Sequence, residues 1–211
     1  MSARWRSLFV LAAVLAAQPA FAAIDTARIQ GPWPKQRVQE LEVGRHPVRW
    51  RHRASRGDGI FSGVRFTAPA SAADVWARAA DYRGIGPTVP GVTAVRVADV
   101  SAGRQSVEVD AKVLWKSFTL RFEVEQEPPR AMRFRLVNPA LGEFQGVSLF
   151  EPAASGDGSG TVVELSTWLK PAGPVPVRLL LAVERMALLQ GTKAFLSTFD
   201  RPAPRARVTA Q

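Results

Sequence analysis

The chain has 211 residues, a formal net charge of +10 and no cysteine. The missing cysteines exclude structural disulfides and a lipid-modified cysteine at a cleavage site. Arginine carries most of the positive charge without a nucleic-acid recognition motif, which leaves coding bias or attraction to anionic lipid headgroups as its two explanations.

The first residues have the pattern of a secretion signal. Arg4 and Arg6 precede an apolar run from Leu8 to Ala17, and Ala20-Phe21-Ala22 forms a small-x-small cleavage site. An uncleaved anchor is the weaker alternative, because about 20 apolar residues are needed to span a bilayer. We predict a signal peptide at 1–22 and a soluble periplasmic or secreted product, with a charge of about +8 once the two arginines are removed.

An arm and a basic strand follow. Residues 23–36 include Gly31-Pro32-Trp33-Pro34 and show no periodicity, which predicts a loosely attached arm, and the range 23–47 comprises this arm and the start of the first strand. Alternation from 48 to 53 predicts a strand with one basic face, formed by Arg49, Arg51 and Arg53. This face is typical of a solvated sheet surface, and the functional alternative is contact with an anionic membrane.

A second strand and a helical corner come next. Ile60, Ser62, Val64 and Phe66 alternate in the strand, which ends at Ala68-Pro69. Ser71 and Asp74 resemble a capping box that opens a short helix as far as Asp81-Tyr82. Glycines and prolines between 84 and 91 prevent a long continuation of that helix.

A run of antiparallel strands occupies the middle of the chain. Their apolar residues alternate with charged ones, and matching the faces of two neighbouring strands places Glu125 opposite Arg133 and Glu123 opposite Arg135. This charge ladder is closed by a three-residue loop or a bulge, and we expect it on the outer, wet surface. Two more strands, 141–151 and 161–170, complete the run.

The C-terminal stretch 174–199 predicts one long helix. Its apolar arc is broad, and it consists of Val177, Leu180, Leu181, Val183, Ala187, Leu188, Ala194, Phe195 and Phe199. Arg178, Arg185 and Thr192 are expected on the wet edge. We therefore predict a helix laid against the sheet, within a domain at 48–199 that is followed by a disordered tail at 200–211.

This order of elements resembles the helix-grip fold of the START and polyketide-cyclase-like superfamily, which also includes coenzyme Q-binding proteins and the birch-pollen-allergen type. The resemblance covers about 60–199. The residues that carry it are Ala68-Pro69, Val75-Trp76, Asp81-Tyr82, Pro90-Gly91 and Glu127-Pro128-Pro129-Arg130. It implies an α+β fold in which a curved antiparallel sheet wraps around the long C-terminal helix and encloses an apolar cavity for a lipid, sterol, quinone or polyketide.

The resemblance implies no catalytic residue, because the family has no universal catalytic motif. The sequence itself offers few groups for catalysis, and we predict no catalytic residue, no metal site and no cofactor. His46 and His52 share strand parity with Trp50, so we expect them to be packed or half-exposed strand residues.

A ligand cavity is the predicted site. Its expected lining is aromatic and apolar, with one carboxylate, and comprises Trp115, Phe118, Phe122, Met132, Phe134, Phe144, Glu184 and Leu188. Trp168 has the opposite parity to Leu165 and Leu169, and we expect it to face outward. The inward face of 141–151 is ambiguous, although Gly146 and Ser148 would leave room between two rings if that face pointed inward.

Glu184 stands out because it lies inside the apolar arc of the helix, where no basic residue of the same helix can pair with it. It forms either a salt bridge at the helix edge or a cavity carboxylate that orients a ligand headgroup.

Three functions remain open at this point. The first is an exported binding or carrier protein for a hydrophobic molecule, with transient membrane contact and no nucleic-acid partner. The second is a cyclase, aromatase or dehydratase acting on a polyketide-like substrate in the same cavity. The third is an interaction domain with a vestigial cavity. A buried acid–base pair would favour the enzyme, and the sequence shows none.

Overall fold

The computed structural model describes residues 23–30, 32–55, 59–113, 116–137, 142–154, 160–173 and 176–200. The predicted signal peptide at 1–22, Trp115 and almost all of the predicted tail lie outside these residues. In the described part of the chain, nine antiparallel strands form one sheet in the order β1-β2-β3-β9-β8-β7-β6-β5-β4. They are β1 Arg37–Val43, β2 His46–Ser55, β3 Gly59–Ala68, β4 Val92–Ser101, β5 Arg104–Val113, β6 Lys116–Glu127, β7 Ala131–Leu136, β8 Gly142–Pro152 and β9 Thr161–Pro171.

The helices at both predicted positions are present, and a further short helix, which the sequence did not predict, follows the first of them. They are α1 Ala72–Ala80, α2 Tyr82–Ile85 with a following 3-10 turn Gly86–Thr88, and the long α3 Val177–Asp200. The predicted cap of α1 is confirmed, because the Ser71 side chain accepts a hydrogen bond from the backbone N–H of Asp74. None of the described helices is both long enough and apolar enough to cross a membrane.

The predicted charge ladder is confirmed in its register. Glu123 lies opposite Arg135, and Glu125 lies opposite Arg133, with a three-residue loop between the strands. One of the two ion pairs departs from this register. Arg135 pairs with Glu123, directly opposite, at 2.5 Å, whereas Arg133 pairs with Glu127 instead of Glu125, at 3.2 Å. Alternation therefore predicts which residues face each other, but long side chains select their partners diagonally.

The sheet has two different faces, which we call the helix face and the arm face. The helix face carries Ser62 and Thr167 and packs against α3. The arm face is covered in part by residues 23–30 and 32–36. The prediction of a loosely attached arm is wrong, because Ile29 is fully buried and Trp33 is only 4% exposed.

The arm forms a second apolar core on its face of the sheet. Ile29 and Trp33 pack there with Phe61, Val147 and Trp168. Trp168 does point away from α3, as its parity predicts, but it is buried. The expectation that it faces outward into solvent is therefore wrong, because the arm covers this part of the sheet.

The long helix is buried along only part of its predicted face. Leu188, Phe195 and Leu196 belong to the main core, and Thr192, which we expected on the wet edge, is 4% exposed. The first turns are open to solvent, where Val177, Leu179, Val183 and Met186 are exposed. The helix packs chiefly on β3, with smaller contacts to β1 and α2. Periodicity shows which side of a helix is apolar, but it does not show how far the partner surface extends.

Candidate functional site

An apolar pocket of about 260 Å³ lies between strands β5 to β8 and the helical corner of α1 and α2. Its size is close to the lower end of the range for small-molecule sites. Its lining is aliphatic and aromatic apart from two hydroxyl groups, and comprises Ala79, Tyr82, Val107, Val109, Phe122, Val124, Met132, Phe134, Phe144 and Ser148.

Two other depressions are poorer candidates. One of about 680 Å³ lies between the turn joining β1 to β2 and the C-terminal end of α3, and it is lined in part by Arg45, Lys193 and Asp200. An apolar molecule there would remove charged groups from water. The other, beside Ile24, has a volume of about 10 Å³ and is too small for an organic ligand.

Three phenylalanines form the aromatic wall of the pocket. The ring centroids of Phe122, Phe134 and Phe144 are 6.0 to 6.4 Å apart, which is the spacing of edge-to-face and tilted ring pairs. Phe134 lies directly opposite Gly146 in the neighbouring strand. A Cβ atom at Gly146 would come within 2.1 Å of that ring, so this position requires glycine for the wall to form.

The structure shows which face of β8 points toward the pocket, a question that the sequence left open. Phe144 and Ser148 line the pocket, and Gly146 lies beneath the Phe134 ring. Phe150, which shares their parity, is buried in the main core.

One end of the pocket is polar. The Tyr82 hydroxyl donates to Met132 Sδ at 3.7 Å and accepts a hydrogen bond from Gln126 Nε2 at 3.3 Å. Burial raises the pKa of Tyr82, and the hydrogen bond from Gln126 opposes this shift. The phenol is therefore neutral at physiological pH. Sequence reasoning missed Tyr82 and Ser148 as pocket residues, although Tyr82 is the chain's single tyrosine and belongs to the Asp81-Tyr82 pair.

The structure brings together four of the predicted cavity residues, namely Phe122, Met132, Phe134 and Phe144. Phe118 lies nearer the start of β6 than Phe122 does, and it is not among the lining residues. The predicted position of the cavity, between the sheet and the long helix, differs from the observed one. None of the described residues of α3 lines this pocket, because α3 packs on β3 at the other half of the sheet.

Glu184 and Leu188 therefore belong to the core under α3 rather than to the pocket. Leu188 packs in the main core. Glu184 is 6% exposed, and its carboxyl oxygens meet the hydroxyls of Ser62 at 3.0 Å and Thr167 at 2.6 Å. Within the described residues, Glu184 forms neither the predicted salt bridge nor the predicted contact with the pocket.

Burial, and not hydrogen bonding, favours the protonated form of Glu184. Thr167 Oγ1 also lies 3.2 Å from the carbonyl oxygen of Ser62, yet a single hydroxyl proton serves only one acceptor well. The Thr167 hydroxyl therefore shares its one proton between the Glu184 carboxyl group and that carbonyl oxygen. Burial raises the pKa of Glu184, while the hydrogen bonds with Thr167 and Ser62 oppose this shift.

The two histidines lie away from the pocket. His52 stacks on Trp50 with ring centroids 4.2 Å apart. Burial lowers the pKa of His52, and the positive charges of Arg37 and Arg185 lower it further. His46 begins β2 and lines the charged depression near the end of α3. Both residues are strand residues, as the sequence predicts.

The three arginines of the basic strand have different surroundings. Arg49 is more than half exposed and pairs with Glu40 at 3.3 Å. Arg51 is largely covered, because it pairs with Glu164 at 2.5 Å and lies over the Trp33 ring at 4.2 Å. Arg53 lies over the Phe61 ring at 5.2 Å. Only part of the predicted basic face is therefore open to a partner.

Comparison with known proteins defines the family. Residues 68–196 match the sequence profile described as polyketide cyclase / dehydrase and lipid transport, which covers more than half of the chain. The protein belongs to this family. The family assignment agrees with the resemblance to START and polyketide-cyclase-like proteins, which is thereby confirmed. No curated protein matches the chain.

Solved structures confirm the helix-grip α+β fold of this family member. The STAR-related lipid transfer protein from Xanthomonas axonopodis aligns with a TM-score of 0.63 at 16% identity, covering 79% of this chain and 99% of that one. The Zhui aromatase/cyclase from Streptomyces sp. R1128 aligns with a TM-score of 0.58 at 20% identity, covering 70% and 97%. A START superfamily protein from Mycobacterium smegmatis also gives 0.58, at 14% identity and 66% and 97% coverage.

Proposed function

We propose that this protein is an exported carrier that holds a hydrophobic small molecule in the pocket between β5–β8 and the α1–α2 corner. The observation that carries the proposal is the aromatic and aliphatic lining, in which no described residue is charged. Removal of apolar ligand surface from water contributes about 25 cal/mol per Å², so such a site binds without covalent chemistry. The family description, which includes lipid transport, supports the same class of ligand.

An enzyme acting on a polyketide-like substrate in the same pocket is the second candidate. It is favoured by the fold likeness to the Streptomyces aromatase/cyclase. Against it, Tyr82 is the one titratable side chain among the described lining residues, and the raised pKa of its phenol makes it a poor base at neutral pH. No second acid or base among those residues completes a pair. We therefore favour binding over catalysis.

Export is the part of the proposal that rests on sequence alone. Arg4, Arg6, the apolar run and the Ala20-Phe21-Ala22 site have the order of a cleaved signal peptide. N-terminal sequencing of the protein recovered from its own host should give Ala23 as the first residue. Recovery of the chain with its first residues intact would contradict export by this route.

Transient contact with an anionic membrane surface completes the proposal. The exposed Arg49 supports it, whereas Arg51 is occupied by Glu164 and Trp33. We expect Arg49→Glu to weaken sedimentation with vesicles of anionic phospholipid at low salt. Neither the variant nor the wild type should bind to zwitterionic vesicles. Equal binding of the variant and the wild type would remove Arg49 from the contact.

Native mass spectrometry of the protein from its own host tests the carrier function. We expect an added mass that corresponds to a neutral or weakly polar organic molecule. Val109→Trp should fill the pocket and abolish the added mass, while Val38→Trp, on exposed β1, should retain it. An added mass that survives Val109→Trp, or its absence from every form, would contradict the proposed site. Conversion of the recovered molecule by the protein would support the enzyme instead.

A further inference from the structure

We propose that the pocket selects neutral ligands that present a hydrogen-bond acceptor, such as a carbonyl or ether oxygen, to the hydroxyl of Tyr82. This inference rests on the proposed binding function and adds the chemistry of the ligand's polar group. It follows from the direction of one hydrogen-bond chain, from the position of Ser148, and from the lack of charge around the pocket.

The hydrogen-bond chain makes Tyr82 a donor toward the pocket. Gln105 Nε2 donates to Asp99 Oδ1 at 2.8 Å, which leaves its amide oxygen to accept from Gln126 Nε2 at 2.8 Å. The Gln126 amide also donates to the Tyr82 oxygen at 3.3 Å. Since Asp99 is a carboxylate that only accepts, it fixes the orientation of both amides. The Tyr82 oxygen is thereby used as an acceptor, and its proton remains to be donated elsewhere.

The present acceptor of that proton is weak. The Tyr82 hydroxyl lies 3.7 Å from Met132 Sδ, and a thioether sulfur is a poor hydrogen-bond acceptor. A partly buried hydroxyl donor without a good acceptor is unfavourable. A ligand oxygen that replaces the sulfur as acceptor would form a better hydrogen bond, because a hydroxyl proton can rotate toward a new acceptor.

Ser148 adds a second polar group at the same end of the pocket. In the sheet, Gln126 lies opposite Met132, and Met132 lies opposite Ser148, so the three side chains form one row on the helix face. Tyr82 contacts this row at Gln126 and Met132. Ser148 lines the pocket, and within the described residues its hydroxyl makes no hydrogen bond. A ligand oxygen near Met132 therefore lies within reach of two hydroxyl groups.

The lack of charge excludes ionised headgroups from this end. The described lining residues include no arginine, lysine or histidine that could pair with a carboxylate or phosphate. A buried anion without a partner is strongly unfavourable, so acidic lipids should bind poorly compared with neutral ones. The pocket is consequently matched to alcohol, ketone, quinone or ester oxygens rather than to fatty acids or phospholipids.

Three probes of nearly equal shape test the inference: 2-acetylnaphthalene, 2-isopropenylnaphthalene and 2-naphthoate. The first has a carbonyl acceptor, the second replaces that oxygen by a CH₂ group, and the third is charged. Isothermal titration calorimetry should give wild-type affinities in the order acetyl, isopropenyl, naphthoate, with the first two separated by roughly three- to tenfold. Tyr82→Phe should make the affinities for the two neutral probes equal. Ser148→Ala should reduce the ratio by a smaller factor.

The outcomes separate this inference from the proposed function. If both neutral probes bind and Val109→Trp abolishes their binding, but Tyr82→Phe leaves their ratio unchanged, the pocket is a binding site and the role of Tyr82 is wrong. Binding of 2-naphthoate as tight as that of 2-acetylnaphthalene also contradicts the inference. If none of the three probes binds to the wild type, both the binding function and the inference fail.

Discussion

The Thr167 hydroxyl on β9 lies 2.6 Å from a carboxyl oxygen of Glu184 on α3, inside the core of the protein. The long helix is thus attached to the middle of the sheet by a buried acid, with Ser62 on β3 holding the other carboxyl oxygen. Apolar contacts at Leu188, Phe195 and Leu196 secure only the C-terminal half of the same helix.

This arrangement predicts a pH-dependent stability. Because burial raises the pKa of Glu184 above its ordinary value of 4.5, the folded protein keeps this proton at pH values where the unfolded chain has lost it. The folded state then binds more protons at this group, so the contribution of Glu184 to the free energy of unfolding is largest below about pH 4.5 and falls as the pH rises through the raised pKa. Urea denaturation of the wild type between pH 4 and 8 measures this decrease together with the opposite contribution of His52, whose lowered pKa makes stability rise with pH over part of the range.

Glu184→Gln isolates the contribution of this carboxyl group. The amide keeps a donor and an acceptor for Thr167 and Ser62 but does not titrate, so the decrease should be smaller in the variant. Glu143→Gln, which changes an exposed glutamate on β8, is the matched control and should retain the wild-type decrease. The same pH profile in the wild type and in Glu184→Gln would show that Glu184 is not the titrating group.

Gly146→Ala should disturb the pocket wall. The added Cβ would lie 2.1 Å from the Phe134 ring, which must move toward the pocket. We expect a loss of stability of about 1 to 3 kcal/mol and a loss of affinity for neutral naphthalene probes. Gly191→Ala serves as the control, since nothing lies within 4 Å of its Cβ, and it should stabilise α3 by about 0.5 to 1 kcal/mol. Unchanged probe affinity in Gly146→Ala would contradict this description of the wall.

Trp33→Ala should release the arm. Trp33 is 4% exposed and packs on Phe61 with ring centroids 5.6 Å apart, so its truncation should lower the free energy of unfolding by about 3 kcal/mol. Limited proteolysis should then cut between residues 23 and 36 faster than in the wild type, while cleavage within the sheet stays slow. An arm that is equally resistant in both forms would show that Trp33 does not hold it in place.

Replacement by lysine should lower the stability of the protein more at Arg51 than at Arg49. Arg51 combines an ion pair with Glu164, a hydrogen bond to Ser166 at 2.8 Å and a stacked position over Trp33, whereas Arg49 is exposed. Lysine lacks the planar group that makes these contacts together. We expect Arg51→Lys to lower stability by about 1 to 2 kcal/mol and Arg49→Lys by less than about 0.5 kcal/mol, measured by urea denaturation. Equal effects would contradict the structural role of Arg51.

Local patterns predict the strands and their neighbours well. Alternation gives the pairing of Glu123 with Arg135, and the Ser71 cap gives the start of α1, because both depend on residues close together in the chain. The spacing of apolar residues also predicts that Glu184 lies on the apolar side of α3. It does not predict the hydrogen-bond partners of Glu184, because Ser62 is 122 residues away and nothing in its strand pattern distinguishes it.

Long-range packing explains what the sequence does not predict. The arm has no periodicity, yet Ile29 and Trp33 are buried because Phe61 and Trp168 offer an apolar surface on the opposite side of the sheet from α3. The pocket lies against α1 and α2 rather than α3, and so includes Tyr82 and Ser148 instead of Glu184 and Leu188. A helical wheel or the alternation of residues in a strand predicts which face of the element a side chain lies on. Whether that face packs in a core, lines a pocket or is exposed to solvent depends on how several elements pack together.

The position of β3 has a practical consequence for fragment design. The family profile begins at residue 68, at the end of the strand that supports α3, and it omits Ser62 together with β1 and β2. A recombinant fragment trimmed to 68–196 would leave a buried acid without one of its hydroxyl partners and would uncover the apolar side of the terminal helix. A fragment for expression should therefore begin at Ala23, because the start of the family match separates β3 from its partner strand β9.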